Sequence, residues 1–249
     1  MKKKLKINLR KIYSILKYYF YVCFLFYKKR TKKLRKSCSS DSLRCGDDKN
    51  SVNYKYHLFG KDTPLCCASK LTQLLFFVDK VFRENDLEYF MVYGTFLGAV
   101  RHRGIIPWDT DVDLAIKKED FNQIVKVLKR ATNELSYYVA KGDNENFIRL
   151  FYSKKNSLHI DFYITKQDSD TLYLPEANRI IEVPLKDIYP LKEYEFYDKK
   201  IVGPNTNKFL FIFYGEDVLE KVYRKYAFKK AITEENSFSR AVINLVKNI

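Results

Sequence analysis

Residues 93–116 read YGTFLGAVRHRGIIPWDTDVDLAI, and the end of this stretch sets the fold around it. Asp111 and Asp113 alternate with Val112 and Leu114. Period-2 alternation places successive side chains on opposite faces of a strand, so both carboxylates point one way, about 7 Å apart, while Val112 and Leu114 face the core. Carboxylates held that close repel unless a cation lies between them, and Mg²⁺ (or Mn²⁺) with its oxygen ligands suits the position. Asp109 continues the same alternation but follows Pro107-Trp108, where the strand need not have begun; it is expected beside the pair or facing substrate.

Upstream, the apolar run Phe90-Met91-Val92 reads as a strand over 88–93, and 95–101 as a short helix. A strand leading through Gly94-Thr95 into a helix N-terminus offers backbone N–H groups to phosphate. Gly94 permits close backbone approach, and Thr95 is placed to cap the helix or donate its hydroxyl. Arg101, His102 and Arg103 follow, between the turn and the acidic strand, where contacts to a charged substrate are expected. Trp108, the only tryptophan, is expected to pack beneath the strand entry.

Further along, the spacing predicts helices over 64–85 and 117–132, each with apolar residues at three- and four-residue intervals. Strands are expected over 147–152 and 158–164, joined by the polar turn SKKNS, then a hairpin over 192–201 and helical segments over 207–214 and 215–226. In the second strand Asp161 stands between Ile160 and Phe162, where an unpartnered charge is costly to bury. A cation held by Asp111 and Asp113 is the partner expected for it. The reading requires Asp161 to face that pair, with no Lys or Arg filling the space between them.

The net charge of +16 is concentrated at one end. Residues 1–36 hold 14 Lys/Arg and no acid, leaving 32 basic against 30 acidic groups in the rest. A body so nearly neutral argues against a nucleic-acid track. Within the basic segment, residues 12–27 form a short, mostly apolar run, the lower edge of what a membrane anchor needs. The alternatives are a basic, aromatic-rich helix lying on a surface or a segment buried against the domain. Residues 37–56 are polar and turn-rich and read as a linker, which leaves 57–249 as the folded body. The five cysteines show no second pair or histidine at zinc-site spacing, and an odd count with Cys23 in the apolar run describes no disulfide framework. A Cys38–Cys45 bridge is left open.

At Gly94-Thr95, Arg101-His102, Ile106-Pro107-Trp108-Asp109, Asp111-Val112-Asp113, Asp161, Ile188-Tyr189-Pro190-Leu191, Val202-Gly203-Pro204-Asn205 and Phe213-Tyr214-Gly215, the chain resembles the LicD/fukutin family. The resemblance implies an α/β fold, a nucleotidyltransferase-like mixed sheet flanked by helices. It implies transfer of a phospho-group, such as phosphocholine or ribitol phosphate, from a CDP-linked donor to a glycan. By that resemblance Asp111, Asp113 and Asp161 are the metal-binding and catalytic carboxylates, with Asp109 or Asp161 taking the acceptor's proton, and Gly94-Thr95 is the phosphate-side turn. Thr110 departs from the commonest pattern, which is acidic there. A Golgi or ER membrane location with a lumenal body follows from the anchor and the resemblance together; a cytoplasmic one is the alternative. An inactive relative acting as a binding or scaffolding subunit is the competing function.

Overall fold

A computed structural model describes residues 38–45, 62–141, 147–176 and 179–220, all within one compact unit, Ser37–Ile249. The 12–27 run lies outside the described residues. No helix among those described is long and apolar enough to cross a membrane.

The first helix, α1 (Leu65–Arg83), begins after Pro64, whose fixed φ suits a helix entry. Leu71, Leu74, Leu75, Val78 and Phe82 are its buried stripe, as the spacing predicts. Strand β1 is only Phe90–Met91, and α2 (Tyr93–His102) starts at once after it. Gly94 and Thr95 therefore lie in the first helical turn rather than in a turn before it. Strand β2 (Val112–Lys117) leads to α3 (Phe121–Ala131), which buries Ile124, Val127 and Leu128.

Next come β3 (Tyr138–Lys141), β4 (Phe147–Phe151), β5 (His159–Asp168), β6 (Thr171–Glu176) and β7 (Arg179–Pro184). A single-turn α4 (Leu185–Ile188) precedes the hairpin β8 (Lys192–Phe196) and β9 (Lys199–Gly203), and α5 (Lys208–Tyr214) follows. The sequence reading contained neither β3 nor β6, β7 and α4. From Gly215 to Glu220 the chain forms turns where a helix was expected.

The main sheet runs β1-β2-β5-β4-β3, extended by β6 and β7 from the far end of β5. Only β2 and β5 pair in parallel; the other neighbours are antiparallel. The fold is thus a mixed α/β sheet flanked by helices. Leu114, Ala115 and Ile116 are all buried; β2 lies inside the sheet between β1 and β5, and both of its faces are covered over these residues.

Register sorts the two faces. Asp113 of β2 lies opposite Asp161 of β5, and Asp161 lies opposite Arg149 of β4. Residues in register share a face, so these three side chains stand in a row across the sheet. The other face carries Val112, Leu114, Ile148, Leu150, Ile160 and Phe162, all buried. There Phe82 of α1 stacks on Phe162 with ring centroids 5.7 Å apart. One face is core and the other holds the charges.

Residues Cys38 to Cys45, within the stretch read as a linker, are packed onto this body. Asn156 Nδ2 donates to the Ser39 carbonyl at 3.1 Å, Ser153 donates to the Ser40 carbonyl at 2.5 Å, and Cys38 and Arg44 are buried. Polar, turn-forming composition marks irregular backbone; it does not say whether that backbone docks.

Candidate active site

The site is assembled where the N-terminus of α2 meets the head of β2. From Asp109 to Leu114 half-buried and buried residues alternate, with Asp109, Asp111 and Asp113 on the open side and Thr110, Val112 and Leu114 inside. The alternation starts before the regular strand, so Asp109 shares the face of the other two.

The first turn of α2 holds this row in place. The Val92 N–H donates to the Asp113 carbonyl at 3.2 Å, and the Asp113 N–H donates to the Thr95 hydroxyl oxygen at 2.8 Å. Thr95 is buried in this role, positioning Asp113 rather than standing open to a ligand. A Cβ at Gly94 would lie 2.6 Å from Asp109 Oδ2 and 3.8 Å from Asp113 Oδ2. Only glycine leaves room for both carboxylates at the helix end, where partial positive charge favours them.

Burial raises the proton affinity of Asp113 well above the ordinary carboxylate range, and Asp111, Asp109 and Asp161 raise it further. Burial does the same to Asp109, followed by the charge of Asp111. The charge of Arg44 offsets part of this at Asp109. Half-buried, mutually repelling oxygen donors around a glycine cradle fit a hard divalent cation such as Mg²⁺.

Asp161 stands differently. Arg149 donates to both of its oxygens, Nε to Oδ1 at 2.5 Å and Nη2 to Oδ2 at 2.6 Å. The guanidinium lies between the Phe147 and Phe151 rings, 5.4 and 5.6 Å from their centroids. The partner expected to offset Asp161 was a metal; the partner present is Arg149, and that part of the sequence reading is corrected. Arg149 comes from the β4 side, so the three carboxylates at the head of β2 keep an open face.

Two further side chains join the face. His159 Nε2 lies 3.8 Å from Asp111 Oδ2 and 3.7 Å from Asp161 Oδ2. Its Nδ1 donates to the Ser157 carbonyl at 2.7 Å, which turns Nε2 toward the carboxylates. Burial lowers its pKa and the two carboxylates oppose that shift. Tyr163 favours the charged form of Asp113, and desolvation raises its own pKa far above the usual phenol value. Sequence reasoning missed Arg149, His159 and Tyr163. The signal was the alternation of Ile148 and Leu150 with Arg149, which puts the arginine on the polar face once β4 and β5 are paired.

The basic triplet after α2 makes contacts within the protein. Arg101 donates to His102 Nε2 and to the Val218 carbonyl, each at 3.0 Å. His102 is buried with Trp108 edge-on to its ring, and desolvation with the Arg101 charge lowers its pKa to about 4. Arg103 pairs with Glu195 at 3.3 Å on the surface. A charged substrate was the expected partner of all three; Arg101 and His102 are engaged within the protein, and Arg103 stands exposed in its pair with Glu195.

The cysteines also differ from their sequence reading. Cys38, Cys45, Cys66 and Cys67 gather in one place, their sulfurs all within 4.8 Å of one another.

A mixed sheet whose parallel pair carries a row of carboxylates, faced by a helix N-terminus, defines a nucleotidyltransferase-type domain. Residues 86–206 match the family described as LicD/FKTN/FKRP, nucleotidyltransferase domain, and this part of the chain belongs to the LicD/fukutin family. It is 31% identical over 193 residues to ribitol 5-phosphate transferase FKRP of Mus musculus, covering 74% of this chain and 39% of that protein. It is 38% identical over 48 residues to the lipopolysaccharide cholinephosphotransferase LicD of Haemophilus influenzae, 19% of this chain and 18% of that protein. Among solved structures, the lincomycin-bound lincosamide antibiotic adenylyltransferase LnuA aligns at 15% identity with a TM-score of 0.41, over 70% of this chain and 95% of that one. The chain thus spans about two fifths of the length of the FKRP relatives it matches.

Proposed function

We propose that this chain transfers a phospho-group, of the phosphocholine or alditol-phosphate type, from a CDP-linked donor to a hydroxyl of a glycan. The observation that carries the reading is the row Asp109, Asp111 and Asp113 at the head of β2, cradled by Gly94 at the N-terminus of α2. The relatives named for ribitol-phosphate and phosphocholine transfer support the class of group.

Asp111 and Asp113 would hold Mg²⁺ or Mn²⁺, with Asp109 beside them. When bound, the cation supplies charge neutralisation at the donor's diphosphate as CMP leaves. The first turn of α2 keeps Asp113 fixed through Val92 and Thr95 and turns its backbone N–H groups toward the carboxylate row, where anionic oxygens would bind. Asp109 is the better acceptor for the attacking hydroxyl's proton, because burial and the Asp111 charge raise its proton affinity. Both oxygens of Asp161 are engaged by Arg149, so Asp161 serves in shaping the field of the site.

The test is CMP release by the purified full chain across a panel of CDP-activated donors with Mg²⁺. Release that requires the metal and disappears in Asp113→Asn is expected; no release from any donor, or full activity in the variant, would reject the reading.

The Arg149–Asp161 pair favours one other reading, a binding or scaffolding subunit of a glycan-modifying assembly, since a third carboxylate is neutralised by the protein itself. Calorimetry with Mg²⁺ and CDP separates the two, because a scaffold need bind neither. For location we propose a Golgi or ER membrane reached through residues 12–27, with the cytoplasm as the alternative. Alkaline carbonate extraction decides, release into the soluble fraction rejecting the anchor.

A further inference from the structure

We propose that His159 is a nitrogen ligand of the cation held by Asp111 and Asp113, and that through it the site prefers Mn²⁺ to Mg²⁺. The inference rests on the cation site of the proposed function and adds to it a residue of a different ligand type.

His159 opens β5, two residues ahead of Asp161, so both side chains stand on the charged face of the sheet. The histidine is only 3% exposed. Its Nδ1 lies 2.7 Å from the Ser157 carbonyl, and a carbonyl oxygen can only accept, so Nδ1 carries the ring hydrogen. In the neutral ring that leaves Nε2 with a lone pair and no hydrogen. A backbone carbonyl on one ring nitrogen is the arrangement that orients a metal-binding histidine through the other. Phe151, opposite His159 on β4, packs against the imidazole with ring centroids 5.5 Å apart.

The atoms that Nε2 faces are themselves acceptors. Asp111 Oδ2 is 3.8 Å away and Asp161 Oδ2 3.7 Å, both beyond hydrogen-bonding reach. Electron-rich atoms turned toward one another in this way suit a cation shared between them. Two ligands at about 2.1 Å from one cation lie about 3.0 Å apart when adjacent and about 4.2 Å apart when opposite. The 3.8 Å between Nε2 and Asp111 Oδ2 falls within that span.

Arg149 decides which carboxylate shares the ion with His159. Its guanidinium holds both oxygens of Asp161, at 2.5 and 2.6 Å, so the charge of Asp161 is already answered. Asp111 is the neighbour left to Nε2, and His159 takes the ligand position that the third carboxylate was expected to fill. An imidazole among carboxylates changes the choice of ion. Mg²⁺ takes oxygen ligands and gives up its waters reluctantly, whereas a first-row transition ion such as Mn²⁺ accepts nitrogen beside oxygen.

The test is pulsed electron paramagnetic resonance of the full chain with equimolar Mn²⁺, alongside calorimetric affinities for Mn²⁺ and Mg²⁺. Echo modulation from a directly bound imidazole nitrogen is expected in the wild type. It should persist in His57→Gln and His102→Gln, which remove the other two histidines of the sequence, and vanish in His159→Gln. Mn²⁺ affinity should fall about tenfold or more in His159→Gln, while Mg²⁺ affinity changes little. Should His159→Gln fail to fold, modulation that persists in both other variants assigns the nitrogen to His159 by elimination, and its loss in either refutes the assignment. Bound Mn²⁺ without nitrogen modulation in the wild type, or equal loss of both ions in His159→Gln, would overturn the inference and leave the phosphotransferase reading standing. A wild-type chain that binds neither ion would overturn both.

Discussion

Arg149 and Asp161 sit directly opposite one another on β4 and β5, and the guanidinium holds both carboxylate oxygens, at 2.5 and 2.6 Å. Twelve residues of sequence separate them, and the pairing exists only because the strands are in that register. Asp161 can therefore be buried beside the carboxylates of β2 with its charge answered.

Removing the arginine should expose that dependence. Arg149→Ala leaves Asp161 buried without its guanidinium and near Asp111 and Asp113, and is expected to lower unfolding stability by about 2 kcal/mol, allowing for the partial exposure of the arginine. Arg149→Lys, which cannot grip both oxygens, should recover only part of it. Urea unfolding at neutral pH measures both. If Asp161 shares the cation site, Mg²⁺ should stabilise Arg149→Ala more than it stabilises the wild type.

Gly94→Ala separates stability from function. The added methyl would meet the end of the Asp109 side chain at 2.6 Å, which can swing aside, and alanine is favoured over glycine within a helix. The urea midpoint should stay the same or rise slightly. The displaced carboxylate should cost at least tenfold in CMP release, since about 1.4 kcal/mol of lost transition-state stabilisation suffices for that factor.

Thr95 acts through a single hydrogen bond. Thr95→Val keeps the shape but leaves the Asp113 N–H without its acceptor, an expected loss of about 1–3 kcal/mol. Thr95→Ser restores the oxygen and should recover most of it. Equal unfolding midpoints for the two variants would show that this contact does not secure Asp113.

His102 sets a pH dependence. Its folded pKa is lowered to about 4, so the unfolded chain binds its proton more readily. Stability from this group is fully present above the unfolded value, near 6.5, and is lost as pH falls from there toward 4. The full span corresponds to about 3 kcal/mol. His102→Gln should flatten the stability–pH curve between pH 6.5 and 4; an unchanged slope would place the sensitivity elsewhere.

The local patterns were readable in the chain itself. Alternation from Asp109 to Leu114 gives the open and buried faces of β2 directly, and the apolar spacing of Leu71 to Phe82 gives α1. Strands β6 and β7 escaped notice because β7, at the edge, buries only Ile181 and Val183 while Ile180 stays exposed, and such short mixed stretches carry little periodic signal. The contacts of Arg101, His102 and Arg103 with Val218, Trp108 and Glu195 were not legible, because a run of bases says nothing about direction.

From sequence alone came the acidic strand, the glycine before it, the family resemblance and the basic N-terminal segment. Tertiary structure alone decided that Asp161 is held by Arg149, that the arm from Cys38 to Cys45 docks, and that four cysteines spread over thirty positions meet at one point. The division has a physical cause. Periodicity and backbone preference act between near neighbours and leave their mark on the order of residues, whereas the partner of a buried charge or thiol is fixed by strand register and helix placement, which bring together residues that the chain keeps apart.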